Sequence, residues 1–541
     1  MSLLSVGSSG LAAAYAALNA ASNNVANVNT PGYSRQAAVQ TTMPGQFTGA
    51  GYVGRGVAVE TIRRAFNDQV NGQVQFTQSQ SSEAATQSQL MRPVDKLFAS
   101  DDLGIGSAMD RFFSSLTEAS SRPADMASRA AVISSAQQLV SRFNQTVGQL
   151  DELGRNSDLA VRATAAHINT LAQKIGSLND AISISRASGQ TANDLLDQRD
   201  YMIRQLNEQV GVTTLEQSDG SLNVFLSGGP ALVVGSTASS LTIGYDPSVP
   251  QKQVVGVTTR NGSSSSSVQI AASNLNGGAL TGQLKFREVN LVDAKNELGR
   301  LATALATTFN SVHQLGTNMN GSIGQPLFSL APPQTFASSL NVGSGNISAA
   351  VTTGSSLQAS DYRVDFDGSQ YAVVRLQDGV RTTSATLPMT LDGLTISMTG
   401  TPSAGDSFQV QAVRNGGAAI GMALTDPRLL SFGQSAAAGD NRNALALAAV
   451  ADQAALGGLT FSQAFGEVSA KVGTTTNGLH ISAYVADKLL NQALADQSSV
   501  SGVNLDEEAA KLIRFQQAYQ ASAKVISTAQ TIFQTLLDLG R

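Results

Sequence analysis

One run of glycines in the chain has the spacing of a nucleotide-binding loop. Residues 49–54, Gly-Ala-Gly-Tyr-Val-Gly, match the dinucleotide fingerprint, in which glycines let the backbone approach a pyrophosphate at the start of a helix. Here residues 57–62 alternate like a strand and supply no helix N-terminus. The run is therefore interpreted as a glycine-rich turn, and no cofactor is expected.

The other groups with chemical potential are histidines and carboxylates. Asp506, Glu507 and Glu508 fall where a helix would begin, and their interaction with the helix dipole suffices to explain them. No serine-hydrolase elbow or phosphate-binding loop occurs. The histidines are isolated, without metal-ligand spacing, and are expected in core or solvated positions: His167, His313 and His480. The sequence predicts no catalytic residue, no metal site and no enzyme.

Composition narrows the possible partners. Charged residues make up 13% of the chain, about half the usual share. The net charge is −5, and no Lys/Arg cluster offers nucleic acid an electrostatic footprint. The absence of cysteine excludes disulfides, zinc–thiolate sites and thiol nucleophiles. No nucleic-acid partner is expected.

The N-terminus lacks the features of a cleavable secretion signal. Arg35 is the first charged residue, so the positive region of such a signal is missing, and the N-terminus is expected to be retained. No stretch reaches about 18 uninterrupted apolar residues, and Asn19, Ser22, Asn23 and Asn24 interrupt the best candidate. No membrane span is expected.

Both ends of the chain carry a seven-residue apolar repeat, which is typical of a coiled coil. Nothing flanks either repeat that would complete a core around it. Leu4, Leu11, Leu18 and Val25 form the N-terminal set, interleaved with Gly7, Ala14, Ala21 and Val28. Leu505, Leu512, Tyr519, Ile526 and Phe533 form the C-terminal set, followed at three-residue offsets by Phe515, Ser522, Ala529 and Leu536. The two ends are predicted to pair and to seek further helices outside the chain.

Between these ends the sequence alternates between helical and strand periodicity. Apolar residues three and four apart predict helices over residues 133–150, 168–182, 195–210 (capped by Gly211) and 284–312. Short strands are predicted from Val212 to about Ile270, and hairpins from about Leu357 to Val413. Residues 425–459 are predicted to be a connector before helix resumes at Thr460.

The predicted fold class is mainly α with β insertions, an α+β multidomain protein. The predicted domains are a terminal coiled coil (residues 1–60 with 495–541), a long-helix domain (61–330 with 425–494, carrying a β-rich insertion at about 212–278) and an outer β-rich domain (331–424).

The first helix has a clear stop, and the residues there carry a resemblance. Pro31-Gly32 suits a type II turn. The run from Ala21 to Gln36 resembles the N-terminal signature of bacterial flagellar axial proteins of the rod, hook and hook-associated group, and its Tyr-Ser-Arg-Gln ending resembles the hook-associated branch. Residues 192–200, 313–328 and 503–519 resemble other segments of the same family.

The resemblance implies a structural subunit that adds as a ring of like copies at the hook tip and joins hook to filament. It implies hook protein, the second junction protein and a cytoplasmic export chaperone as partners, and an extracellular place on the flagellum. The implied N-terminal assembly interface is Leu4, Leu11, Leu18, Asn23, Asn24, Val25, Asn27, Asn29, Pro31, Gly32 and Tyr33. The implied C-terminal interface, also the chaperone candidate, is Leu505, Leu512, Phe515, Tyr519, Ile526, Phe533 and Leu536.

Two alternatives stay open at this point. One is a sibling axial protein, such as hook protein or the second junction protein. The other is a secreted adhesin or enzyme whose activity lies in residues 357–413, with the coiled coil as a mount. We also expect the termini to be loose in the free subunit, because burial of each Leu-sized side chain contributes roughly 1.5–3 kcal/mol only when a partner covers it.

Overall fold

The structure is a computed structural model that describes residues 3–47, 49, 51–99, 104–227, 229–261, 264–437 and 439–540. It confirms the predicted fold class, since long helices begin and end the chain and small antiparallel sheets are inserted between them. The helices are α1 Leu3–Ala26, α2 Asp68–Phe98, α3 Ile105–Ser121, α4 Met126–Ala187, α5 Asn193–Gln209, α6 Gly278–Lys285, α7 Leu291–His313, α8 Gly416–Ala419, α9 Arg442–Ala448, α10 Phe461–Ser501 and α11 Leu505–Leu539.

The strands fall into three groups along the chain. Those near the N-terminus are β1 Gln36–Thr42, β2 Gln46–Phe47, β3 Tyr52–Val53 and β4 Val57–Arg64. The first insertion holds β5 Val212–Glu216, β6 Leu222–Leu226, β7 Ala231–Val234, β8 Thr237–Ala238, β9 Ser240–Asp246, β10 Val249–Asn261 and β11 Ser264–Ile270. The rest are β12 Phe328–Ser329, β13 Gln334–Ala337, β14 Asn346–Val351, β15 Tyr362–Phe366, β16 Tyr371–Arg375, β17 Arg381–Ser384, β18 Met389–Leu391, β19 Leu394–Thr399, β20 Ser407–Gln411 and β21 Gly421–Met422.

The largest core lies among α3, the first half of α4, α7, α9 and the start of α10. At its centre the rings of Phe112, Phe309 and Phe328 meet with centroids 5.2–5.7 Å apart, and each is at most 1% exposed. The prediction of a connector over residues 425–459 is wrong. Leu430 and Phe432 are fully buried in this core, because short apolar runs there fold over the helices without needing a long periodic stretch.

α4 is one helix of 62 residues, where two separate helices were predicted. Residues 151–167, which lie between the two predicted helices, contain no proline, and Gly154 is tolerated inside the helix. α4 therefore spans two cores, ending in a second one that it shares with α5, α6 and the first β insertion.

That first insertion forms two antiparallel sheets, in the orders β5-β6-β7-β8 and β11-β10-β9. The predicted role of Gly211 as a left-handed cap is wrong, because its φ is not positive and Val210 before it is already extended. Glycine is needed there for space instead, since a Cβ would collide with the carbonyl oxygen of Asn276.

The outer β region packs a five-stranded sheet, β13-β20-β15-β16-β17, on a three-stranded one, β14-β19-β18. The β15–β16 hairpin forms as predicted around Asp367-Gly368, with Gly368 at φ 101°. Strand structure begins before Leu357, however, because β13 and β14 precede it. Both strands are short, with four and six residues, and their strand-forming side chains are interrupted by alanine, serine, asparagine and glutamine.

Candidate assembly interface

The two ends of the chain meet as an antiparallel helix pair. α1 and α11 pack so closely that a Cβ on Gly7 would lie 2.7 Å from Cγ1 of Ile526, and one on Gly10 would lie 2.9 Å from Oγ of Ser522. Gly7 belongs to the interleaved set of the predicted N-terminal repeat and Gly10 does not, but at both positions the absence of a side chain lets the backbones approach. The predicted pairing of the chain ends is therefore present within one copy.

The contact face of α1 is made of small residues. Its buried positions are mainly alanines: Ala13, Ala14, Ala17, Ala20 and Ala21. They pack on α11 and on the β1–β4 hairpin, which is also tied to α1 by Gln40 Nε2 donating to the Ala13 carbonyl (3.2 Å) and by Ser9 Oγ accepting from Val57 N (3.3 Å). The predicted residues Leu4, Leu11, Leu18 and Val25 flank this face, each half-buried.

Among the described helices, α1 has the length and apolar composition that could cross a bilayer. That criterion is passed in spite of Asn19 and Asn23, which interrupt its apolar residues. In the folded chain its alanine face is covered by α11 and the hairpin.

α11 covers only one of its faces against α1. Of its 35 residues, Glu508 and Ala529 alone are buried. The predicted residues Leu512, Phe515 and Ile526 are half-buried against α1. The other four predicted residues remain exposed, at 50% for Leu505, 37% for Tyr519, 58% for Phe533 and 62% for Leu536.

A second apolar line runs along α11 beside the row that meets α1. Ala518, Val525, Ile532 and Leu539 recur every seven residues, and the last three are 39%, 46% and 79% exposed. Seven-residue spacing keeps them in one row on the helix, offset from the row that meets α1. The repeats predicted from the sequence do not include this line, although its spacing is as regular as that of the first.

One buried asparagine links the two helices at the end of the pair where α1 ends and α11 begins. The Nδ2 of Asn24 donates to the Gln36 carbonyl (2.8 Å) and to Glu508 Oε2 (2.9 Å). Its Oδ1 accepts from Gln36 N and from the Tyr33 hydroxyl, both at 2.8 Å. The other oxygen of Glu508 accepts from Lys511 Nζ (2.6 Å).

The explanation of the acidic helix start by the dipole alone is therefore wrong for Glu508, which is 1% exposed and holds the two chain ends together. Asn504 is the N-cap of α11, accepting from Asp506 N and Glu507 N, so the helix start is stabilised without Glu508.

The signature loop, residues 27–36, leaves α1 through the predicted turn. Tyr33 N donates to the Thr30 carbonyl (3.2 Å), and Gly32 has φ 84°, as the third residue of a type II turn requires. A Cβ on Gly32 would lie 2.8 Å from Cβ of Tyr201, so the turn sits directly on α5. Of the remaining predicted residues, Asn27 is half-buried, whereas Asn23, Asn29 and Pro31 are exposed.

Three aspartates of α5 accept hydrogen bonds from the loop and from Arg64 of the adjoining strand β4. Asp197 accepts from Ser34 N (3.0 Å) and Arg64 (2.9 Å), and Asp200 accepts from the same guanidinium (2.6 Å). Asp194 accepts from Gln36 Nε2 (2.9 Å). Burial raises the pKa of Asp200 against the opposing charge of Arg64. These residues lie in the 192–200 segment that resembled the flagellar family, but their spacing did not indicate what they would contact.

An open cleft of about 950 Å³ lies between this loop and the helices α4 and α5. Leu178, Tyr201 and Met202 form its half-buried apolar side, while Asn23 and Gln198 are exposed at its edge. Burial, together with the nearby carboxylates, raises the pKa of Tyr33 to about 12, so its hydroxyl stays protonated and keeps donating to Asn24. We call this space the signature cleft.

The glycine run and the histidines occupy other parts of the structure. Gly49 and residues 51–54 belong to the β2–β3 turn region, followed by β4 as expected, and Ala50 lies outside the described residues. His313 is fully buried, with Nδ1 bonded to the Gln325 carbonyl and Nε2 accepting from Ser431 N (3.0 Å), and burial lowers its pKa to about 4. His167 and His480 are exposed. Within the described residues no cluster of His, Asp and Glu could hold a metal ion.

Family models match four segments of the chain. Models of the flagellar hook-associated protein FlgK helical domain and of the hook-associated protein 1 D2-like domain match residues 91–328 and 336–412. Models of the flagella basal body rod protein and of the FlgEFG C-terminal region match residues 4–33 and 497–539, the two segments that form the helix pair.

Full-length relatives carry one name. The chain is 34% identical to flagellar hook-associated protein 1 of Escherichia coli (strain K12), covering 99% of this chain and 100% of the relative. It is 33% identical to that of Salmonella typhimurium, with the same coverage. The structure of the flagellar hook junction protein FlgK from Burkholderia pseudomallei, 24% identical, matches the fold with a TM-score of 0.74 over 80% of this chain and 100% of that one.

Proposed function

The chain belongs to the flagellar hook-associated protein 1 family, and from this premise we propose that it is a structural subunit that joins the hook to the filament by polymerising through its terminal helices. The family is one of flagellar structural proteins, and the proposed role requires no catalytic step. Full-length similarity to hook-associated protein 1 favours this assignment over hook protein or the second junction protein.

The bare faces of α11 carry this proposal. Val525, Ile532 and Leu539 lie on a helix side that the described part of the chain leaves 39%, 46% and 79% exposed, and Phe533 and Leu536 extend it around the helix end. Exposed apolar rows of this regularity mark protein interaction surfaces. Because α1 already occupies one face of α11, neighbouring subunits are the source of cover for the others.

The proposed partners follow from this arrangement. Copies of the chain form a ring, with hook protein on one side and the second junction protein on the other. The division into a terminal coiled coil, a long-helix domain and an outer β domain is retained as part of the proposal. The outer β domain is then farthest along the chain from the assembling ends, and the subunit acts outside the cell as part of the flagellum.

A cytoplasmic export chaperone is proposed to cover α11 before assembly. The exposed residues Tyr519, Phe533 and Leu536 are the candidates for its binding, since they would otherwise promote aggregation. Replacement of Phe533 and Leu536 by serine should then reduce binding of the purified full-length chain to the chaperone. Unchanged binding would argue against this part of the proposal.

Removal of the chain from cells tests the main proposal. Cells lacking it should form hooks without filaments and shed flagellin into the medium. Restoring the wild-type chain should return filaments, whereas a Val525→Ser, Ile532→Ser variant should be exported but leave most hooks bare. A Gln534→Ser, Thr535→Ser variant alters polar positions of the same exposed turns and should behave as wild type. Attached filaments in cells without the chain would overturn the proposal.

A further inference from the structure

The last turns of α11 extend beyond the helix that it pairs with. Asn24 lies level with Glu508, and Gly7 lies level with Ile526. Continuing this antiparallel register places Leu3, the first described residue of α1, level with about residue 530. Residues 532–539 therefore project past the start of α1, and we call them the C-terminal overhang.

The C-terminal overhang is the most apolar exposed segment of α11. Its five large apolar residues have exposures of 46–79%: Ile532, Phe533, Leu536, Leu537 and Leu539. All of residues 531–540 are exposed, so no described part of the chain covers them. A helix of this length with apolar residues on several sides is not stable in water by itself and gains most from an enclosing site.

The signature cleft lies at the other end of the helix pair. From Leu3 to Asn23 the rise of α1 spans about 30 Å, so a chain cannot place its own overhang in its own cleft. One copy thus presents an apolar helix end, and a second copy presents an enclosing site at the opposite end. Such a contact is heterologous, the kind that builds rings or helical tubes from like subunits.

The dimensions of the two parts agree. An eight-residue helical segment is about 12 Å long and about 10–12 Å across, a cylinder of roughly 900–1,400 Å³. The cleft is open to solvent and has a volume of about 950 Å³, which is of the same order as that of the segment.

The chemistry of the two parts also agrees. Leu178, Tyr201 and Met202 offer an apolar floor for the apolar side chains of the overhang. The exposed side-chain amides of Asn23, Gln173 and Gln198 line the cleft, and such donors suit the unsatisfied carbonyl groups of a helix C-terminus. Lys174 at the cleft edge complements Asp538 and the negative end of the helix dipole, while Asp194 already accepts from Gln36.

We propose that the C-terminal overhang of one copy docks in the signature cleft of a second copy. This inference rests on the proposed function, because it names one contact through which the copies assemble. It predicts that each copy supplies the helix end for one neighbour and the cleft for another.

Engineered cysteines test this contact cleanly, because the chain contains no cysteine of its own. Thr535→Cys is placed in the overhang, which keeps its apolar residues, and Gln198→Cys or Gln173→Cys is placed at the cleft edge. The full-length double variants are expressed in cells lacking the native chain, and assembled junctions are oxidised. We expect disulfide-linked dimers and higher ladders, about tenfold above the single-cysteine variants, since a disulfide forms only when the two Cβ atoms come within about 4.5 Å.

Thr528→Cys is the matched control in this experiment. It lies seven residues earlier on the same side of α11, about 10 Å from position 535, and is level with the start of α1. Paired with Gln198→Cys or Gln173→Cys, it should give no ladder. If position 535 crosslinks with neither cleft residue while filaments remain attached, docking is overturned and the junction function stands. Failure of the junction function itself would appear separately, as attached filaments in cells without the chain.

A charge exchange gives a second measurement that does not depend on cysteine. Lys174→Glu and Asp538→Lys should each reduce the number of attached filaments per cell by about tenfold, the scale expected for one close interfacial charge pair. The double variant should restore at least half of the loss. Circular dichroism of the purified variants checks that each folds, and failure of the double variant to rescue would count against docking.

Discussion

The helical core and the terminal helix pair both contain helices with regularly spaced apolar residues. These residues are buried in the core and remain mostly exposed on α11. In the core, Phe112, Phe309 and Phe328 point from different elements into one closed cluster, each at most 1% exposed. In α11, an equally regular apolar repeat meets a single alanine-lined helix and stays mostly exposed. Spacing therefore specifies which face of a helix is apolar, whereas the number of elements packed around the helix decides whether that face is buried within one chain.

The largest expected effect lies in the core. Phe112→Ala removes a ring packed against three other phenylalanines and should lower the free energy of unfolding by about 3–5 kcal/mol. Denaturant unfolding of the full chain measures this. Phe76→Ala is the matched control, because Phe76 is 61% exposed on α2 and its loss should cost less than about 0.5 kcal/mol. Similar losses for both variants would contradict the contrast between closed and open surfaces.

The core should also lose stability in acid through His313. Burial lowers its pKa from 6.5 in the unfolded chain to about 4 in the folded chain, so the unfolded state binds the proton first. The contribution of neutral His313 to the free energy of unfolding is fully present above pH 6.5. It falls by up to about 3 kcal/mol as the pH drops towards 4. Protonation of Nε2 would also remove the acceptor of Ser431 N.

Comparison with His313→Gln isolates this effect from the titration of carboxylates. The variant should be less stable than wild type at pH 7, and the gap should narrow as pH falls from 6.5 to 4.5. A proton NMR titration gives the pKa directly, since the chain has only three histidines. A pKa of His313 near 6.5 would refute the stated cause.

Sequence periodicity predicted the helix pair and the class of fold because local spacing determines both. It did not predict the single long α4, because the predicted apolar stretches end at residue 150 and resume at residue 168, and a long helix continues through such a gap where it passes between two cores. Leu430 and Phe432 were missed for a related reason. A short segment with no repeating pattern is buried by the elements it meets, and those are not visible locally.

In the candidate interface, too, some features were predicted from the sequence and others were not. Its first apolar row and its Pro31-Gly32 turn were predicted from residue types and spacing, whereas the second row, equally regular, was missed. The contacts of Asn24 with Glu508 and of Asp197 with Ser34 were not, because they join residues 484 and 163 positions apart. Polar pairs of that separation leave no periodic trace, so a buried glutamate at a helix start has the same local appearance as a dipole-stabilised one.

A substitution at the end of the pair where α1 ends and α11 begins should have an intermediate effect on stability. Asn24→Ala leaves Glu508 and the Gln36 backbone without their shared partner, which should cost about 1–3 kcal/mol of local stability. Hydrogen exchange of the amides in residues 508–526 should speed up by about 10- to 100-fold, because α11 then opens more readily than the core. Asn23→Ala, at the exposed neighbouring position, should leave exchange unchanged.

The same measurement on the wild-type chain bears on the expectation that the termini are loose before assembly. The structure describes both as continuous helices, yet most of α11 is exposed. Strong protection of residues 512–526 in dilute solution, comparable to that of α7, would contradict that expectation.

The smallest effect on the free subunit is expected at the tip of α11. Phe533 is 58% exposed and lies beyond the start of α1, so Phe533→Ser should change the free energy of unfolding by less than about 0.5 kcal/mol. Its effect on assembly should nevertheless be large, because the ring would be buried only against another copy. Denaturant unfolding of the monomer and counts of attached filaments measure the two quantities side by side. A variant that loses stability but keeps its filaments would reverse the comparison, since Phe533 would then belong to a finished core within one chain.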